Sequence, residues 1–255
     1  MTNRKIYIYI RKTPTKAKME QTNQAPSIER EETRLIVPYA AGKLTFIYPP
    51  PSPNTYQEVG KSLLKRGLAL PNGDQTAALL HTAFCVPEVY DEPEFQDIID
   101  IMRVQWLWVF QINRWTDKGV YVVHDQQAIG RSMPLAEDNL EQRLADGAEI
   151  HGVRFSKDNT VRFAPTATYA LEEHTPESLA EDGFMIASFG EECAEKMAEV
   201  ARKFMFNPYI FGLAIEEGQN PEQEVIALGE GDGLTINGNT FEDRNGLSLG
   251  VRHVQ

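Results

Sequence analysis

One segment restricts the fold more than any other. Between Asp91 and Trp115 the chain carries its two closest tryptophans, Trp106 and Trp108, and its third, in a nearly continuous apolar pattern. Asp91 stands as a helix cap, Pro93 suits a first turn, and Glu94 follows the cap by three residues, as a capping box requires. Phe95, Ile98, Ile99, Met102, Trp106 and Val109 recur at helical spacing and make one stripe, while Ile101, Val104, Trp108 and Ile112 make a second. The spacing predicts a helix over residues 93–112. A helix apolar on two faces must be buried between layers. The tryptophans then read as core packing rather than an aromatic cage.

The other elements follow from local signals. Residues 35–37 and 43–48 read as a strand hairpin, and residues 55–66 and 75–85 as helices. Residues 119–125 read as a strand, and a helix follows from Pro134 to near Gly147. A hairpin is expected at 153–156 and 160–163, with Asn159 left-handed in a three-residue loop. That register sets Arg154 opposite Arg162 and puts apolar and polar positions on opposite faces. Residues 184–189, 191–205 and 209–215 read as strand, helix and strand, most simply a right-handed parallel crossover. Short strands split by glycine turns close the chain, at 225–228, 234–237 and 247–254. The expected class is α+β: a mixed sheet with a buried central helix, one parallel strand–helix–strand unit and C-terminal antiparallel strands. Residues 1–34 read as a basic N-terminal arm and flexible linker, and residues 35–255 as a single mixed α+β domain.

Charge divides the chain within that arm, after residue 18. Arg4, Lys5, Arg11, Lys12, Lys16 and Lys18 precede the first acid, Glu20. The remainder holds 19 basic against all 37 acidic groups, a net charge of −18, which brings the chain to −12. An acidic body of this kind repels polyanions, so nucleic acid is not expected as a ligand except through residues 1–18. No apolar run approaches the roughly 18–20 residues of a membrane helix. Two cysteines cannot build a disulfide framework. The reading is a soluble, cytoplasmic chain without a membrane partner.

Few residues suggest chemistry. If the strands ending at 125, 189 and 215 were parallel neighbours, their ends would present His124, Asp125, Ser188, Glu216 and Glu217, with Arg131 and Ser132 close behind. An imidazole, carboxylates, a hydroxyl and a guanidinium suit acid–base catalysis. Arg154 and Arg162, facing each other, would need a carboxylate or a bound anion between them. His81 and Cys85 lie four apart on a helix and share a face, but no second Cys/His pair stands nearby; they read as packing, and no metal site is expected. The glycines of 229–233 lack the lysine and hydroxyl of a phosphate loop. The expectation is therefore a binding or interaction protein without a cofactor, whose partner is a small anion or an acidic protein. A hydrolase or transferase acting at the strand ends is the alternative.

Overall fold

The computed structural model describes residues 32–40 and 42–252; the basic arm lies outside the described residues. Strands β1 (Thr33–Tyr39) and β2 (Gly42–Tyr48) form an antiparallel hairpin. Helices α1 (Tyr56–Lys65), α2 (Gly73–Cys85) and α3 (Pro93–Val104) follow, then β3 (Trp106–Thr116) and β4 (Gly119–His124). Next come α4 (Glu137–Leu144), β5 (Ala148–Ile150), β6 (Val153–Phe155) and β7 (Val161–Pro165). Helices α5 (Pro176–Glu181), α6 (Gly183–Phe189) and α7 (Glu191–Ala201) precede β8 (Phe206–Phe211), β9 (Glu222–Glu230), β10 (Gly233–Thr240), β11 (Gly246–Leu247) and β12 (Val251–Arg252). The larger sheet runs β5-β6-β7-β4-β3-β9-β10-β8, with β11 beside β3; β1, β2 and β12 make the smaller one. Most pairs are antiparallel, but β8 runs parallel to β10 and β11 parallel to β3. The class is α+β with a mixed sheet, and β9 and β10 form the antiparallel pair near the C-terminus.

The central strands of the large sheet are covered on both faces. Leu107, Val109, Val120, Val122, Ile226 and Leu228 pack toward α2, α3, α6 and α7. On the opposite face Trp108, Phe110, Val225 and Ala227 meet α1, while Tyr121, Val123, Val161 and Phe163 meet α4. The most deeply buried long helix is α2, which begins at an Asn72–Gln75 capping box. Its Gly73 lets α2 approach α6 closely: a Cβ there would lie 1.9 Å from the Ser188 carbonyl oxygen.

Two expected elements change type. The helix expected over 93–112 ends at Val104; Glu92 rather than Asp91 is its N-cap, and Trp106 opens the central strand. A strand covered on both faces is apolar at nearly every position, so it satisfies a helical stripe as well as its own alternation. The true period is two, since Leu107 and Val109 face one layer while Trp108 and Phe110 face the other. Residues 184–189 form α6 instead of a strand. Asp182 caps it by accepting from the backbone N–H groups of Phe184 and Met185, and all seven residues of the helix are buried. The expected crossover therefore does not form, and the parallel partner of β8 is β10.

Candidate functional site

The residues expected at the strand ends divide between different places. His124, Ser188 and Arg162 line one polar cavity with Asn72, Asp74 and Gln111. Arg162 is the hub: its guanidinium lies 2.7 Å from the Asp74 carboxylate and donates to the Ala187 carbonyl and to Asn159 Oδ1. His124 contacts the Leu70 carbonyl oxygen through Nε2 at 3.2 Å, and burial pushes its pKa below the ordinary 6.5. Ser188 Oγ and one oxygen of Asp74 are buried and make no hydrogen bond. The cavity measures about 10 Å³, room for one water molecule. A space of this size is far too small for an organic substrate.

Asp125, Arg131, Ser132, Glu216 and Glu217 do not line this cavity. Asp125 organises its own loop, accepting from the Tyr56 hydroxyl at 3.0 Å and from the Gly130 N–H at 2.7 Å. Arg131 lies 3.6 Å from Glu224, and the Ser132 hydroxyl donates to the Ile129 carbonyl. Glu216 and Glu217 are exposed in the loop after β8. Burial, opposed by Arg131, pushes the Glu224 carboxyl up to about 7. The scatter has a direct cause. Residues 184–189 are helical, and β4 runs antiparallel to both neighbours, so the ends do not gather at a parallel edge.

The two arginines also separate. Arg154 pairs with Phe163 and Phe155 with Arg162, one residue from the expected register. The loop takes in Thr160: Ser156 N–H donates to the Val161 carbonyl, and Val161 N–H returns to Ser156 Oγ. That extra residue sends the two guanidiniums to opposite faces. Asn159 has the expected left-handed backbone, with φ 57°. Arg154 grips Glu141 with two bonds of 2.8 and 2.7 Å, and Tyr121 donates to the same carboxylate. These donors hold Glu141 down to about 2. Each arginine thus has its own acid within the chain, and neither shares an anion with the other.

A different surface gathers exposed apolar side chains. Of the exposed large apolar side chains, Met205, Phe206, Tyr209 and Phe211 fall within one short stretch at β8. Gly233 pairs with Phe206 and Thr235 with Tyr209, so β8 accommodates one extra residue between them. This bulge at Asn207 and Pro208 brings Phe206 onto the same face as Tyr209 and Phe211. The rings of Tyr209 and Phe211 stand 4.3 Å apart. Directly paired residues share a face, so one row across the sheet reads Tyr209, Thr235, Gly229. The Trp106 ring lies against Gly229, where a Cβ would come within 3.1 Å of it. Arg244 stands over both Trp106 and Phe241, which is itself exposed. The face is an aromatic ridge on β8, small residues on β10 and β9, and Trp106 beyond.

The outer edge of β8 is closed. Ile210 N–H donates to the Glu172 carbonyl at 3.0 Å, and His174 N–H donates to the Pro208 carbonyl at 2.9 Å. Pro208 has no N–H of its own. The exposed groups of this strand are thus side chains rather than backbone, and Glu172 and Glu173 lie beside them. Sequence reading missed this face because Tyr209, Ile210 and Phe211 are all apolar and show no alternation, so they resemble a buried strand. The signal available was Pro208, which belongs at edges and bulges.

No protein-family model and no curated protein matches the sequence. Among solved structures, one chain described as "Accommodation of massive sequence variation in Nanoarchaeota by the C-type lectin fold" is similar at TM-score 0.46 and 14% sequence identity. The match covers 78% of this chain and 94% of that one. So distant a likeness transfers neither ligand nor activity. No helix among the described residues is long and apolar enough to cross a membrane.

Proposed function

We propose that this chain is a binding protein that holds a basic, apolar polypeptide segment against the β8 face. The observation that carries the reading is the alignment of Phe206, Tyr209 and Phe211 on one face, with Met205 beside them at 88% exposure. Exposed apolar groups gathered in one place mark contact surfaces, whereas scattered ones do not. Aromatic side chains supply large contact area at low entropic cost. Glu172 and Glu173 flank the ridge, and the chain as a whole carries −12, which favours a cationic partner. An acidic partner or a small anion, the expectation from Arg154 and Arg162, has less support, because both guanidiniums already pair with Glu141 and Asp74. The catalytic alternative rested on convergence of His124, Asp125, Arg131 and Glu216, and only His124 borders the polar cavity.

The test uses synthetic peptides in which lysine alternates with aromatic or branched residues, and matched peptides with glutamate for lysine. Fluorescence anisotropy should detect binding of the basic set only. The double substitution Tyr209→Ser/Phe211→Ser should weaken it by about tenfold or more. Equal binding of both peptide sets, or no loss in the double variant, would contradict the proposal.

A further inference from the structure

A second site lies elsewhere, where α2 passes α7. His81 and Cys85 project from one face of α2, and Glu199 of α7 reaches them from 118 residues beyond His81. His81 Nε2 lies 2.8 Å from Glu199 Oε2, and one ligand atom from each of the three residues falls within 4.8 Å of the others. We propose that His81, Cys85 and Glu199 form a binding site for a divalent transition-metal ion of the zinc class.

The donor set selects the metal. One imidazole nitrogen, one sulfur and one carboxylate oxygen suit zinc, while magnesium and calcium take oxygen. Tetrahedral zinc with bonds of about 2.0–2.3 Å holds its ligand atoms roughly 3.3–3.7 Å apart. The 2.8 Å separation of His81 and Glu199 and the 4.8 Å limit on the others put the three ligand atoms near that spacing, and the long Glu199 side chain can rotate to adjust it. The backbone is already in place: four-residue spacing sets His81 and Cys85 side by side, and the helix supporting Glu199 is packed on the same face of the sheet. The ion also has a route in, since His81 and Cys85 are half-buried and Glu199 is exposed.

Three protein ligands leave a fourth position for solvent, the arrangement of zinc sites that exchange ligands rather than of closed structural ones. Cys85 also borders a cavity of about 410 Å³ whose wall includes Tyr90, Arg103 and Lys203. On binding, the Cys85 thiol gives its proton to solvent and the sulfur becomes the ligand. The site is independent of the β8 face, and either can fail without the other.

Cobalt(II) is the probe, because a cobalt–thiolate bond gives a charge-transfer absorption in the near ultraviolet. The chelator-treated full chain should develop that absorption on titration with cobalt and lose it when zinc is added. The chain has only one other cysteine, the buried Cys193. Cys193→Ser should therefore keep the band and Cys85→Ser should abolish it. Glu199→Gln, an exposed change that leaves the fold intact, should weaken zinc binding by at least about tenfold. A wild-type titration without the band, a band that survives Cys85→Ser, or unchanged zinc affinity in Glu199→Gln would each overturn the proposal.

Discussion

The Arg162 guanidinium meets the Asp74 carboxylate at 2.7 Å across 88 residues of sequence, joining β7 to the first turn of α2. Both side chains are largely removed from water, at 5% and 14% exposure. Removing either partner leaves the other charged and buried. Arg162→Met and Asp74→Asn should each lower unfolding free energy by about 3 kcal/mol in urea denaturation. The double variant should cost clearly less than the sum, because each single loss already breaks the shared bond. Additive losses would show that the pair is not coupled.

Trp108 and Trp106 should differ although they stand two apart on β3. Trp108 is fully buried, packs edge-on to Tyr56 at 5.6 Å, and donates from Nε1 to the Asn54 carbonyl. Trp108→Ala should cost about 3–5 kcal/mol. Trp106 is only partly buried at the rim of the same cluster, so Trp106→Ala should cost less than half as much. Equal denaturant midpoints for the two variants would contradict this placement.

Glu224 predicts a pH dependence. Its carboxyl titrates near 7 in the folded chain against an ordinary 4.5, because burial outweighs the attraction of Arg131 and because Glu222 and Glu242 lie close. The folded state therefore holds this proton more tightly than the unfolded state. Its contribution to stability is complete below about pH 4.5 and is lost as pH rises through about 7. Glu224→Gln should remove a decline of about 2 kcal/mol between pH 5 and 8. Identical pH profiles for variant and parent would contradict the assignment.

Several caps and turns were legible in the sequence, although the cap expected at Asp91 falls at Glu92 and makes no side-chain bond, and strand faces were not legible. Thr55 and Thr175 cap their helices, and Asn159 is left-handed, as their residue types demand. Those signals are local, so tertiary context does not alter them. The misread period of β3 and the slipped register of β6 and β7 share one cause, strands buried on both faces, whereas residues 184–189 read as a strand because all seven residues of α6 are buried and leave no polar face to show a helical period. Trp106 to Phe110 satisfies two periods at once. In β6 and β7 the rule that polar residues face water gives the wrong register, since Arg162 points inward to Asp74 at 5% side-chain exposure. For the candidate sites, sequence placed His81 and Cys85 on one helix face but read them as packing, and it could not supply Glu199, which only packing of α7 beside α2 brings near. The β8 face needed the bulge, which no spacing in the sequence reveals.

The methionines give the most direct test of the binding face. Met205 stands at the ridge with 88% exposure, while Met185 and Met197 are fully buried. With methionine methyl groups labelled by ¹³C, addition of a lysine–aromatic peptide should shift the Met205 resonance progressively and leave Met185 and Met197 in place. A peptide that binds while Met205 stays unmoved would contradict the account.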